Sequence, residues 1–159
     1  MEPTGNPDCG PERSDGAGTE GQPIVWRLHL RASRETVYHS WLSVAEHPSF
    51  WCERSRSEGK GFELTFINGH VEHVRILRRE PSKAIGFTYF GSHVTLEFEE
   101  HERGTDLCMT NDNVPRQEWE DVNSGWLNVL LPFKAWVDFG IDLRNHDVTR
   151  TLYHRFADQ

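Results

Sequence analysis

The hydrophobic period of this chain changes once late in the sequence, at Pro115, and that change constrains the fold more than any other feature. Between Arg54 and Val114 apolar residues recur at every second position, and from Pro115 to Gly140 they recur at every third or fourth. Period two marks a strand with one dry face, and a period near 3.6 marks an amphipathic helix. Such a chain lays a run of strands against one long helix.

The turn signals Gly59-Lys60-Gly61, Asn68-Gly69, Pro81-Ser82, Gly91-Ser92 and Arg103-Gly104 divide the first region. They predict strands over about 53–58, 61–67, 70–79, 84–90, 93–100 and 105–113. Leu64 and Phe66 share a face, as do Ile85, Phe87 and Tyr89, then Val94, Leu96 and Phe98, then Leu107 and Met109. Short turns between such segments call for antiparallel pairing. Val71 and Val74 are three apart, so the 70–79 strand changes face or carries a bulge.

An earlier strand is expected over 24–31, where Trp26, Leu28 and Leu30 alternate with Arg27, His29 and Arg31. Ser33 then offers an N-cap, and Val37, Trp41, Leu42 and Ala45 follow at helical spacing until Pro48. Two short helices are expected there, ending on Phe50-Trp51. In the long helix, Trp119, Val122, Trp126, Val129, Leu130, Phe133, Val137 and Ile141 step along one face. Pro115 opens it, Gly140 stops it, and Pro132 removes one of its hydrogen bonds. The expected fold is α+β: a strongly curved antiparallel sheet of about seven strands around a long C-terminal helix.

Residues 1–22 contain five Gly, three Pro, five acids and one base. They contribute −4 to the chain's net −8, and they have too few apolar side chains to offset the entropy of ordering. This segment is expected to be a disordered acidic tail, with one domain over 23–159. The domain is itself mildly acidic, which offers no general attraction to nucleic acid. No segment has the apolar length of a membrane span, and the N-terminus lacks the basic start and apolar run of a signal peptide. Three distant cysteines (Cys9, Cys52, Cys108) without a CxxC pair make a reduced, cytoplasmic setting the simpler expectation.

Four segments carry a family resemblance: Ser33–Trp41 (SRETVYHSW), Gly125-Trp126 followed by Leu130, Phe133-Lys134-Ala135-Trp136, and Gly140–Asp147 (GIDLRNHD). With the order of elements, they make residues 24–150 resemble the START-like, or SRPBCC, helix-grip superfamily. Within it, the chain is most similar to single-domain proteins related to the C-terminal domain of the activator of the 90-kDa heat-shock-protein ATPase. The resemblance implies a sheet gripping the C-terminal helix, often around a cavity for a hydrophobic ligand. It spans carriers, aromatic polyketide cyclases and chaperone activators, so fold alone does not choose among them.

The inward strand and helix faces supply Trp26, Phe66, Phe87, Tyr89, Phe98, Met109, Trp126, Leu130 and Phe133. These residues either line an apolar cavity or fill a core. Asn111 falls on the face of Leu107 and Met109, where it either orients a ligand or is satisfied locally. Thr88 and Asn123 are weaker candidates. None of the nine histidines stands at a metal-ligand spacing, and no nucleophile motif occurs, so no cofactor, metal or catalytic residue is assigned. In Asp142, Arg144, His146 and Asp147 an Arg fork can bridge a carboxylate and free carbonyls, locking the chain end to the sheet.

The reading that follows is non-catalytic binding of a hydrophobic or aromatic small molecule, by a monomer or homodimer. The alternative is a protein-interaction module acting on the 90-kDa heat-shock chaperone, and a polyketide-cyclase-like enzyme ranks third.

Overall fold

The computed structural model describes residues 21–159. The acidic segment expected to be a tail, and Cys9 with it, lie outside the described residues except for Gly21 and Gln22. Gly21 already packs on the domain: a Cβ there would sit 1.8 Å from the main-chain oxygen of Val114.

Strand β1 (Ile24–Leu30) is followed by helix α1 (Arg34–Leu42) and a single 3-10 turn at His47–Ser49. Ser33 caps α1, its Oγ accepting from Thr36 N at 3.3 Å. The second short helix expected from sequence is thus only one 3-10 turn, since Pro48 allows no longer run. Strands β2 (Arg54–Glu58), β3 (Gly61–Thr65), β4 (Val71–Glu80), β5 (Ala84–Tyr89), β6 (Ser92–His101) and β7 (Gly104–Asp112) follow, then helix α2 (Trp119–Phe139). Pro115 precedes a 3-10 turn at Arg116–Glu118 instead of opening the α-helix, which begins at Trp119. Gly140 ends α2 at φ 64°, its N–H reaching back to Ala135 and Trp136, and Ile141 is exposed beyond it.

All seven strands form one antiparallel sheet in the order β1-β7-β6-β5-β4-β3-β2. β1 and β2 are its two edges, so the strand order describes an open sheet. β4 is the articulation: Val71–Arg75 pair with β3, and Ile76 onward pairs with β5. The register shifts between Ile76 and Arg78, leaving Leu77 exposed while Val74 and Ile76 face inward. The uneven Val71–Val74 spacing has a different cause: this stretch pairs regularly with β3, and Val71 faces outward at 40% exposure while Val74 is buried.

The core is strongly aromatic. Trp41 of α1 meets Phe133 of α2 at 4.4 Å between ring centroids, and Phe50 closes on Phe133 at 4.8 Å. From Trp41 the contacts continue through Trp51 to Tyr89 and on to Trp126. Under this cluster His47 is fully buried, its Nε2 donating to Trp41 O and its Nδ1 accepting from the Ser55 hydroxyl. Burial pushes the imidazole pKa down to about 4, so it is a neutral core group. No described helix is long and apolar enough to cross a membrane.

Candidate ligand-binding cavity

The aromatic chain ends in open space. A cavity of about 510 Å³ lies beside the first turns of α2, bounded by the β3–β4 turn, the β5–β6 turn, Val114-Pro115 and the segment after α2. Its size is that of small-molecule sites.

Of the residues expected to line a site, Phe66, Tyr89, Asn111 and Trp126 are in its wall. Phe87, Phe98, Met109, Leu130 and Phe133 are instead buried in the core away from it. Trp26 is partly buried and joins β1 to α2, its indole N–H donating to Asn123 Oδ1 at 2.9 Å. Thr88 faces the β4 main chain, accepting from Arg75 N.

Asn111 is fully buried and fully used. Its Nδ2 donates to Ser92 Oγ at 2.7 Å and His93 O at 3.2 Å, while its Oδ1 accepts from Trp126 Nε1 at 2.9 Å. It braces the cavity by joining β7, β6 and α2. Tyr89 accepts from Trp51 Nε1 at 3.1 Å, and burial holds its phenol well above the usual pKa, so it remains protonated.

Trp51, His70 and Phe90 are among the wall residues that were not expected from sequence to line a site. Phe66, His70 and Phe90 stack at the turns, with His70 and Phe90 centred 5.2 Å apart at 19°. Phe90 occupies a two-residue hairpin turn with Gly91, at φ 46° and 73° respectively. Both positions require left-handed backbone, which Asn-Gly adopts readily and Phe does not. Glu72 holds the strained turn, its Oε1 accepting from Phe90 N at 2.9 Å. A Phe directly before the turn Gly91 is the sequence signal that could have found it.

The segment 140–159 returns across the cavity, and Arg144, Leu152 and Gln159 enter the wall. Arg144 forks to Cys52 O at 2.7 Å and Glu53 Oε1 at 2.6 Å, while its Nε donates to the main-chain oxygen of Gln159. His146 adds Nδ1 to Glu53 at 2.8 Å and Nε2 to Asp142 at 2.7 Å. The GIDLRNHD motif is therefore a strap fastened to the start of β2. Beneath it Cys52 is buried, and its thiol pKa is pushed up to about 12 by that burial.

Pairing across strands also assembles Glu58, Glu63 and His73, whose ligand atoms lie within 4.8 Å of one another. Arg56 engages both oxygens of Glu63 at 2.8 and 2.6 Å, and His73 engages Glu58 at 2.6 Å. The cluster balances its charges by these pairs on an exposed sheet face, away from the cavity.

Comparison with known proteins agrees with this architecture. Residues 31–138 match the family model described as activator of Hsp90 ATPase homolog 1-like protein. No curated protein matches the chain. Among solved structures, protein SSP2350 from Staphylococcus saprophyticus is 25% identical with a TM-score of 0.68, over 77% of this chain and 96% of that one. The Aha1 dimer from Colwellia psychrerythraea is 19% identical with a TM-score of 0.67, over 76% and 98% of the two chains. An AHSA1-like protein from Aeromonas hydrophila is 19% identical at a TM-score of 0.63, over 75% and 94%. With more than half its length matched by the family model and its fold shared with these bacterial proteins, the chain belongs to the AHSA1-like family of the START-like SRPBCC superfamily.

Proposed function

We propose that this protein binds an apolar small molecule, without chemistry, in the cavity between the sheet and the first turns of α2. The observation that carries this reading is a space of about 510 Å³ walled by Trp51, Phe66, Tyr89, Phe90 and Trp126 at the end of the aromatic core. A void lined by such groups forgoes their mutual contacts, and an apolar ligand restores them while leaving water. The sheet and α2 act as the grip, and the Arg144 strap covers one side. Titration with the neutral fluorescent probe N-phenyl-1-naphthylamine should give saturable emission at one site per chain. Gly125→Phe, which puts a ring into the wall, should abolish it. Absence of saturable binding by the unaltered protein would end this reading.

A second reading, a protein-contacting module related to chaperone activation or self-association, draws on the exposed apolar side chains after α2. Ile141, Leu143, Val148, Tyr153 and Phe156 are all at least 40% exposed. A relative from Colwellia psychrerythraea was solved as a dimer. Sedimentation of the chain alone, and the ATPase rate of a purified 90-kDa heat-shock chaperone with and without it, separate these uses from ligand carriage.

A further inference from the structure

The hydrogen-bond inventory of the cavity says more about its occupant than the aromatic lining does. Apart from Asn68, His70, Asn128, Gln159 and the charged residues of the wall, five polar groups are carried by the indoles, by Tyr89 and by the Ser92–Asn111 pair beside them, and four are already committed. Trp51 Nε1 donates to Tyr89, Trp126 Nε1 donates to Asn111, Asn111 Nδ2 donates to Ser92 and His93, and the Ser92 hydroxyl donates to Tyr89 O at 2.8 Å. The fifth is the Tyr89 hydroxyl. It receives the Trp51 bond as an acceptor, and its own proton has no acceptor among the described residues. Receiving a bond on its oxygen also makes a phenol a stronger donor. The Tyr89 ring is fixed 5.7 Å from Trp51 and 5.3 Å from Trp126, so the proton can turn but the oxygen cannot leave.

Charge narrows the choice. Glu118 and Asp121 belong to the wall, and neither is in an ion pair among the described residues. The guanidinium of Arg144 is spent on Glu53 and main-chain oxygens, and His70 sits 3.5 Å from Glu72. Among the described residues the wall therefore has acidic groups to repel an anion and no uncommitted cation to hold one.

We propose, building on the cavity reading above, that the ligand is an uncharged, largely apolar molecule presenting one acceptor oxygen, a carbonyl or ether, to the Tyr89 hydroxyl. Tyr89 is then the residue that sets specificity, while the surrounding rings supply affinity without distinguishing one flat apolar molecule from another.

Three probes of one shape test this: fluorenone, which has the acceptor; fluorene, which lacks it; and fluorene-9-carboxylate, which is an anion. Each is measured by displacement of N-phenyl-1-naphthylamine from the full chain and from Tyr89→Phe. The unaltered protein should bind fluorenone about five- to tenfold more tightly than fluorene, the scale of one net hydrogen bond. It should bind the carboxylate more weakly than either. In Tyr89→Phe the preference for fluorenone should vanish. Loss of the Trp51 partner affects both neutral probes alike and cancels in their ratio. Equal affinity for fluorenone and fluorene, a preference that survives in Tyr89→Phe, or tight binding of the carboxylate would overturn the proposal and leave the cavity reading standing. If the reporter itself fails to bind the unaltered protein, the cavity reading has failed and this one with it.

Discussion

The indole N–H of Trp126 donates to Asn111 Oδ1 at 2.9 Å, and that bond ties α2 to β7 in the cavity wall. Both residues are at least 98% buried, so neither group can exchange the bond for one to water. Asn111→Ala removes every hydrogen bond of that side chain at once and leaves the Trp126 N–H without its partner. We expect a loss of about 2–4 kcal/mol, read as a lower urea midpoint at unchanged slope. Adding Trp126→Phe to that variant should cost less than Trp126→Phe alone. Full additivity would show that the bond carries no energy.

Gly125 is a helix-interior glycine at the cavity wall, and a Cβ added there meets nothing within 4 Å. Gly125→Ala should stabilise the fold by about 0.5–1 kcal/mol through helix propensity. Gly125→Phe should leave the melting temperature near that of the parent protein and remove probe binding. A melting temperature that falls with Gly125→Ala would show the glycine to be required by backbone geometry.

Phe90 holds left-handed backbone at φ 46° while more than half exposed. Phe90→Asn should relieve the turn, raising stability by about 0.5–1 kcal/mol. The same change deletes the stack with Phe66 and His70 and should weaken probe binding severalfold. Stability and binding moving together would refute the idea that strain is held here for the cavity's sake.

His47 has a pKa lowered to about 4 because burial disfavours its charged form. Between pH 6.5 and 4 the unfolded chain binds a proton that the folded one does not. Its contribution is therefore fully present above the unfolded pKa and is lost as pH falls toward 4, by roughly 3 kcal/mol in total. Urea unfolding at pH 7, 5.5 and 4.5 should show that loss, and His47→Gln should flatten it.

His146 has the opposite sign. Burial, the largest influence, works against its charge, yet the bonds to Glu53 and Asp142 together hold its pKa above the ordinary value. A neutral imidazole has one N–H, and two carboxylates at 2.8 and 2.7 Å need two. Arg144, on the same Glu53 at 2.6 Å, is the competing cation. This contribution is complete below the unfolded pKa and is lost as pH rises through the raised one. Hydrogen exchange over residues 140–159, corrected for its intrinsic pH dependence, should show more opening at pH 8.5 than at pH 6. The difference should disappear in His146→Gln, and persistence there would assign it elsewhere.

Much of the fold was legible because it rests on local chemistry. Ser33 caps α1, Gly140 stops α2, β4 carries a bulge, although between Ile76 and Arg78, beyond the Val71–Val74 stretch that suggested one, and Arg144 forks as its motif implied. Two local readings were corrected. Pro48 leaves a single 3-10 turn, and Pro115 leads into another before α2 begins. The site was less legible. Phe98, Met109 and Tyr89 all belong to inward strand faces, yet the first two are packed and Tyr89 borders open space. His70 and Phe90 gave no periodic signal because both sit in or beside turns.

By itself the sequence determined the kind and order of the elements, for hydrophobic period, caps and turn residues act within a few positions of the chain. It also determined which side of β1, β3, β5, β6 and β7 is dry. Only the tertiary structure decided how far along that dry side the packing extends. That limit depends on where α2 begins relative to β5–β7 and on where the Arg144 strap meets Glu53, the latter a contact between residues 91 positions apart. Period specifies a face but not a depth, so the difference between a filled core and a cavity arises only when the distant elements are placed together.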